Sequence, residues 1–323
     1  WAVSRDGGVV VGTSRGVRDT GFWWTREGGR VDLVEGPSLF VSAISDDTTT
    51  LVGTATMSDQ RFRAHRYNRV TGQYDNLGTL PGYETSRANS VSRDGRVIVG
   101  HITADRQGYE LRAMVWREGQ GMSTLPTGRY FESNVTAVSS DGGMGMGWVS
   151  DLDYNYPAVW SLATGVMTTL PGLAGAPRSN GEAFGMSGDG RYIVGTSNYQ
   201  MTIWENGVPR ALGRLGNQTI AYGVSDDGRV VVGNEITTLD GAVIWTADRG
   251  FMRLSAYLRL IGMDVPGGFE ISRATGISAD GRVISAVGRI GGSQQSEALV
   301  FVIPTSPTLV VLACSLAIAR RRR

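Results

Sequence analysis

The stretch Ala88-Asn-Ser-Val-Ser92-Arg-Asp94-Gly-Arg-Val-Ile-Val-Gly100 places a Ser-x-Asp-Gly tetrapeptide between two short apolar runs. An aspartate side chain accepts hydrogen bonds from backbone amides two residues on, and glycine tolerates positive φ, so the tetrapeptide predicts a tight turn in a β-hairpin. Ser-x-Asp recurs seven times, and only the second copy lacks the glycine, having Thr48. The repeated aspartates are Asp6, Asp47, Asp94, Asp141, Asp189, Asp227 and Asp280.

The spacing of the signature serines varies from 38 residues (187 to 225) to 53 residues (225 to 278), which is the size of one propeller blade. A third run ending in an aromatic residue and a fourth run after a glycine turn follow each hairpin, except that the seventh repeat ends at its third run. This pattern predicts an all-β fold, a seven-bladed β-propeller of four-stranded blades with an incomplete last blade. A linear β-solenoid is the alternative. Closure would take a strand from before Trp1, so we expect sequence upstream of it. The spacing of apolar residues also predicts a helix inserted near 252–262.

Composition narrows the chemistry. All 31 basic residues are arginine, so catalysis through a lysine Schiff base is excluded. The net charge of +1 is not the strongly positive charge that nucleic-acid-binding proteins have. The single cysteine, Cys314, lies near the C-terminus, so residues 1–303 have neither disulfides nor a thiolate zinc site.

The C-terminal residues 304–323 read as a second unit after the repeats of 1–303. Pro304 and Pro307 precede an apolar run over 309–319, and Arg320, Arg321, Arg322 and Arg323 end the chain. The run predicts a short C-terminal apolar helix, shorter than the about 20 residues that span a bilayer comfortably, with the arginines held on the cytoplasmic side. A buried terminal helix and a basic nucleic-acid patch are the alternatives to a membrane-directed transmembrane signal.

Two bacterial resemblances rest on these residues. The segments 2–12, 79–82 and 276–281 resemble the HAF-repeat extracellular proteins, and the similarity covers nearly all of residues 1–303. The tail is similar to the PEP-CTERM sorting signal, with Pro304-Thr-Ser-Pro307 in the place of Pro-Glu-Pro. The resemblance implies export to the cell surface or matrix, processing by exosortase-like machinery and no catalytic activity.

For the residues that could serve catalysis or metal binding, a structural role is the better interpretation. We interpret the seven aspartates as turn-forming residues and the repeated tryptophans as blade packing rather than a glycan platform. Asp151-Leu-Asp153-Tyr-Asn155 begins like a calcium loop, but Tyr156 stands where that loop has glycine. His65 and His101 fall in different repeats. We therefore expect no catalytic residue, no metal and no cofactor.

Recognition is predicted on the variable loops opposite the Ser-x-Asp turns, where tyrosine, arginine and carboxylate side chains suit polar binding. The leading hypothesis is a non-enzymatic exported protein that binds a surface polysaccharide or a protein partner, and not nucleic acid. A carbohydrate-active enzyme using two loop carboxylates is the alternative, and a cytoplasmic scaffold is the third. The candidate binding residues are Tyr83, Glu84, Tyr109, Glu110, Asp151, Asp153, Tyr154 and Tyr156.

Overall fold

A computed structural model of the chain describes residues 1–14, 19–33, 38–105, 110–174, 180–263, 265, 269–290 and 296–304. Tyr109, Pro307, the predicted apolar helix over 309–319 and Arg320 to Arg323 lie outside these residues, whereas Pro304 lies within them.

The strands form seven antiparallel sheets in which consecutive strands are neighbours, as the repeat predicts. The first three blades contain β1 (Ala2–Val3), β2 (Val9–Ser14), β3 (Thr20–Thr25) and β4 (Gly29–Asp32); β5 (Ser38–Ile44), β6 (Thr50–Thr56), β7 (Phe62–Asn68) and β8 (Tyr74–Gly78); and β9 (Thr85–Val91), β10 (Val97–Thr103), β11 (Leu111–Arg117) and β12 (Gly121–Thr124).

The remaining four blades follow the same order. They contain β13 (Glu132–Val138), β14 (Met144–Ser150), β15 (Asn155–Ser161) and β16 (Met167–Thr169); β17 (Gly181–Met186), β18 (Tyr192–Ser197), β19 (Gln200–Glu205) and β20 (Val208–Gly213); β21 (Thr219–Val224), β22 (Val230–Glu235), β23 (Ala242–Thr246) and β24 (Gly250–Arg253); and β25 (Phe269–Ile277), β26 (Val283–Ile290) and β27 (Glu297–Val302). The seventh blade thus has three described strands, as the sequence predicts.

The blades close into a ring because the first strand of each blade contacts the first strand of the next, and β1 contacts both β5 and β25. Apolar side chains fill the spaces between blades. Trp160 and Trp204 are fully buried there, and their indole N–H groups donate to the carbonyls of Pro126 and Pro171 at 2.8 and 2.7 Å, in the crossovers from the preceding blades. Each described blade then has its outer strand as a sheet edge, and the propeller arrangement keeps such edges short.

A steric constraint explains one repeated glycine of the second strand. Six of the seven copies have glycine eight residues after the signature serine, and at Gly147 a Cβ would lie 1.9 Å from the Asn134 carbonyl oxygen. The close approach arises from a β-bulge in the first strand, where Thr136 is unpaired between Val135 and Ala137. The seventh copy carries Ala286, and there β25 has a second bulge between Ile271 and Arg273 that changes the path of the strand.

The described helix α1 (Leu254–Leu260) lies within the predicted insertion, in the crossover from blade six to blade seven. It buries Leu254 and Leu258 against the last two blades. It is not the apolar C-terminal helix that the tail predicts. In the part of the chain that the structure describes, no helix is long and apolar enough to cross a membrane.

Candidate functional site: the central channel and the loop face

The propeller has two different ends. We call the end with the Ser-x-Asp turns the turn face, and the opposite end, with the loops between second and third strands and the crossovers between blades, the loop face. This division follows from the order of the strands.

The repeated aspartates are engaged in their own turns. In each copy the serine hydroxyl donates to the aspartate Oδ1 at 2.5 to 2.7 Å. The same oxygen accepts from the backbone amide two residues after the aspartate at 2.9 to 3.1 Å. For Asp141 and Asp189, hydrogen bonds from the serine hydroxyls lower the carboxyl pKa. These contacts describe a structural role for the turn-face aspartates.

The residues between serine and aspartate close the turn face at the propeller axis. Arg5 of blade one forms ion pairs with Asp46 of blade two, at 3.3 Å, and with Asp226 of blade six. The Ser140 hydroxyl donates to Asp46 at 2.5 Å. A Cβ on Gly188 of blade five would lie 2.4 Å from the Arg5 guanidinium, so this side chain reaches across the ring. We call these five residues the axial ring.

The loop face carries the described candidate binding residues. Asp151 organises its own loop, accepting hydrogen bonds from the Tyr154 amide at 2.9 Å and the Tyr156 hydroxyl at 2.8 Å. Tyr156 packs against Tyr130 from the preceding crossover, with ring centroids 5.3 Å apart. Asp153 is exposed beside them. The calcium-like spacing thus serves a loop whose first carboxylate binds protein groups.

The other predicted residues lie along blade three. Tyr83 packs partly buried against the core between blades two and three. Glu84 lies with its carboxylate 3.7 Å from Arg61. Glu110 is exposed at a positive φ of 56°. The described candidates therefore share the loop face but are distributed over blades three and four rather than gathered into one cluster.

Large exposed apolar side chains are distributed unevenly over the surface of the propeller. Those on the outermost strands or in turns between third and fourth strands are all valines, Val31, Val70, Val166, Val208 and Val302. Six larger ones lie on the loop face, from the start of blade four to the crossover before blade seven. We call this set the apolar arc: Phe131, Leu152, Tyr199, Ile236, Leu239 and Leu260.

Two members of the arc have strained backbones. Leu152 adopts a φ of 80°, with 68% of its surface exposed, and Tyr199 adopts a φ of 63° in the two-residue turn of blade five. Side chains other than glycine and asparagine pay about 1–2 kcal/mol in this region. Strained residues cluster at functional sites, so Leu152 and Tyr199 are candidates for recognition.

The innermost strands, which surround the central channel, carry a layer of residues at equivalent positions. In blades two to seven, the residue five before the signature serine pairs with the residue after the repeated glycine or Ala286, as in Arg87 with His101 and Arg273 with Val287. The shared register places these residues at one depth on the innermost strands. We call them the channel layer: Phe40, Arg87, Asn134, Glu182, Ile220 and Arg273.

The next layer toward the turn face consists of the bulged residues. These contact one another or the next blade: the Asn89 amide donates to Asn134 Oδ1 at 2.8 Å, the Thr136 hydroxyl donates to the Ala183 carbonyl at 2.8 Å, and Phe184 packs on Tyr222 with centroids 5.5 Å apart. These contacts join the first strands of neighbouring blades on the turn-face side of the channel layer.

Burial shifts the pKa values of several groups around the channel. It raises the pKa of Glu182, whose carboxylate accepts a 2.6 Å hydrogen bond from the Asn155 amide, and it raises the pKa of Tyr222. It lowers the pKa of Arg87 and lowers that of His101 to about 4. Arg87 and Arg273 are nevertheless exposed, so both side chains remain in contact with water. Groups with such shifts mark candidate sites.

Sequence reasoning missed the channel layer. The signal that could have found it is the position five before each serine, where arginine, asparagine and glutamate replace the small and apolar residues of the flanking positions. Among the residues that the structure describes, no group of three His, Cys, Asp or Glu side chains is placed to hold a metal ion.

These features define the class as a seven-bladed β-propeller whose turn face carries ion pairs between distant blades. No family model matches the sequence, and no curated protein matches it. Solved structures share the fold at low identity. An oligogalacturonate lyase from Vibrio parahaemolyticus is 11% identical, with a TM-score of 0.64, over 94% of this chain and 89% of that one.

Two further structures show the same likeness. A chain of the mitotic checkpoint complex is 16% identical, with a TM-score of 0.59, over 94% of this chain and 86% of its own. TolB from Acinetobacter baumannii is 15% identical, with a TM-score of 0.56, over 77% of this chain. The match spans 63% of the TolB chain, less than two thirds of its length. At these identities the likeness concerns the fold alone.

Proposed function

We propose that this chain is an exported, non-enzymatic propeller that binds a protein partner through its loop face. The apolar arc is the observation that carries the proposal. Leucine, isoleucine and phenylalanine side chains exposed together on one face favour contact with apolar groups of another protein, because their burial removes apolar surface from water. A surface polysaccharide, the other predicted ligand, would favour planar aromatic and polar groups over aliphatic ones.

The loop face also has a polar component suited to specificity. Tyr154, Asp153 and Glu110 lie beside or within one blade of Leu152, and interfaces commonly combine an apolar centre with a polar rim. The strained φ values of Leu152 and Tyr199 favour the same interpretation, since a less costly residue at either position would remove the exposed side chain.

Binding is tested by comparing the two faces of the same protein. The full chain is immobilised and incubated with cell-envelope extract of the source organism. We expect a retained protein that is lost with Leu152→Ser and Leu239→Ser and kept with Val208→Ser, a matched change on the other side of the propeller, where Val208 is 68% exposed. Equal retention by all three variants would mean that the retained protein does not bind the loop face.

The enzymatic alternative requires two carboxylates about 5 to 10 Å apart. Among the described residues of the channel layer, Glu182 is the one carboxylate, and Asp151 on the loop face is bound to its own loop. Incubation with acidic and neutral polysaccharides should therefore produce no new reducing ends. Turnover that disappears with Glu182→Gln would favour the enzyme instead.

The export part of the proposal is supported by the resemblances and by the order of proline, apolar and arginine segments in 304–323. In this proposal the tail retains the propeller at the membrane until exosortase-like machinery acts on it. Deletion of 304–323 should release the protein into the medium. Recovery of the full-length chain in the cytosol would contradict export.

A further inference from the structure

We infer that the loop face points away from the membrane that holds the tail, so that the apolar arc meets a protein approaching from the opposite side and not the lipid of that membrane. This inference rests on the proposed function, in which residues 304–323 retain the propeller at the membrane. It adds the orientation of the retained protein and the side from which its partner comes.

The apolar arc suits two kinds of occupant. Side chains such as those of Leu152, Leu239 and Phe131 can be buried by another protein or by the interfacial region of a bilayer. A tail in the membrane holds the propeller close to lipid. The place where the chain leaves the propeller therefore decides whether the arc can reach that lipid.

The last described residues lie at the turn face. The strand β27 runs from the loop face toward the Ser-x-Asp turns, and Val302 at its end pairs with Val283, the first residue of β26. The backbone amide of Ile303 then donates to the carbonyl of Arg282, directly after the seventh turn, at 2.7 Å. Pro304 follows and is exposed. The connection to the tail thus leaves the propeller at the turn face.

This connection is too short for the opposite orientation. Five peptide units join Pro304 to Leu309, where the apolar run begins, and they reach at most about 18 Å when fully extended. The loop face lies farther away, because the eight residues of β26 cross the blade over about 26 Å, at roughly 3.3 Å per residue. The headgroup layer adds about 5–7 Å. A propeller with its loop face on the membrane would need a connection of about 30 Å.

The arc is then open to the space beyond the propeller. Leu152 lies on blade four, three places from blade seven, where the tail leaves, and this is the largest separation in a ring of seven. A partner seated on Leu152 is surrounded by water, with the whole propeller between it and the membrane. The partner that fits this surface is therefore a protein, or a protein domain, that lies outside the lipid.

The inference is tested with the full chain in vesicles of phosphatidylcholine and phosphatidylglycerol that contain spin-labelled headgroups, which quench a nearby fluorophore. Cys314→Ser removes the native thiol. Single cysteines for the fluorophore are then introduced by Arg229→Cys on the turn face and by Leu152→Cys or Leu239→Cys on the loop face. We expect the turn-face fluorophore to be quenched at least threefold more strongly than either loop-face fluorophore.

The length of the connection supplies a matched control. Insertion of twenty glycine and serine residues between Pro304 and Thr305 makes a flexible connection that can reach beyond the height of the blade. This insertion should at least halve the difference in quenching between the two faces. An unchanged difference would mean that the connection does not set the orientation, and the inference would be wrong.

The remaining outcomes separate the inference from the proposed function. Equal quenching at the three positions would overturn the orientation, and stronger quenching at Leu152 and Leu239 would make lipid the occupant of the apolar arc. Both results would leave the tail as a membrane anchor. Failure of the full chain to stay with the vesicles would instead overturn retention by the tail, and the orientation with it. Thermal unfolding of each labelled variant checks that the propeller is folded.

Discussion

Thr48 shows what the glycine of the repeated turn contributes. Its φ is 60°, close to the 74° of Gly95 in the next copy, although a β-branched residue is poorly suited to that conformation. Arg69 compensates in part by donating to the Thr48 hydroxyl at 2.9 Å and to its carbonyl.

We expect Thr48→Gly to raise the free energy of unfolding by about 1 kcal/mol, because it removes the left-handed strain. Gly95→Ala should lower the free energy of unfolding, since a Cβ there would lie 2.5 Å from the Thr50 hydroxyl. Urea unfolding measures both. A less stable Thr48→Gly protein would mean that the Arg69 contacts outweigh the strain.

His65 gives a pH dependence to folding. The side chain is fully buried on β7, and burial lowers its pKa to about 4, an effect that the nearby Phe40 backbone opposes only in part. The unfolded chain, with a histidine pKa near 6.5, binds more protons between pH 4 and 6.5, so stability is complete above about 6.5 and falls as the pH drops toward 4. The loss is on the order of 3 kcal/mol at the lower limit.

Urea unfolding at pH 7.5 and 4.5 should therefore show lower stability at pH 4.5, and His65→Leu should reduce the difference. His101→Gln should reduce it as well, since burial also lowers the His101 pKa to about 4. The pKa values of the Asp94, Asp141 and Asp189 carboxyls are lowered from their ordinary value, so these three turn-face aspartates titrate mostly below this window. Equal wild-type stability at the two pH values would contradict the prediction.

At the scale of the element, the first strand with its bulge is the repeated unit that depends most on one glycine. Gly147→Ala should lower the free energy of unfolding by about 3 kcal/mol, because the new methyl group meets the Asn134 carbonyl and the bulge must move. Gly8→Ala is the matched control, since its nearest heavy atom would be 3.4 Å away. Thermal unfolding of the two variants should differ clearly; similar midpoints would mean that the bulge is soft.

The two-residue turn of blade five should show opposite effects on stability and binding. Tyr199 occupies the second place of the Asn198-Tyr199 turn, where glycine is preferred. Tyr199→Gly should raise the unfolding free energy by about 1 kcal/mol and weaken capture of the envelope protein. A variant that is more stable and binds equally well would exclude Tyr199 from the interface.

Most of the architecture could be predicted from the sequence because a turn such as Ser92 to Gly95 fixes its structure locally, and seven copies fix the blade count. The helix α1 follows from the spacing of Leu254 and Leu258. The channel layer could not be predicted as easily, because its depth depends on the bulge at residues such as Asn89, which shifts the register by one. The described loop candidates lie opposite the Ser-x-Asp turns, as the order of the strands predicts, but the distances between Glu84, Glu110 and Asp151 depend on how blades three and four pack.

At the scale of the whole molecule, the axial ring joins blades that are distant in sequence. Arg5→Gln should lower the free energy of unfolding by about 2 kcal/mol, because Asp46 and Asp226 lose their cationic partner in a partly buried place. Arg96→Gln is the matched control at the turn face, where the side chain is 69% exposed, and should change stability by less than about 0.5 kcal/mol. Denaturant unfolding measures the change in unfolding free energy for both variants. Equal changes would mean that the axial ring stabilises the protein no more than an exposed ion pair does.

The axial ring also acts against opening of the propeller. Arg5 of blade one pairs with Asp226 of blade six, so a ring that opens between blades one and seven must break a charged contact as well as the packing of β1 on β25. The same guanidinium pairs with Asp46 of blade two, on the other side of that junction. The contact works as a clasp that joins the start of the propeller to its end.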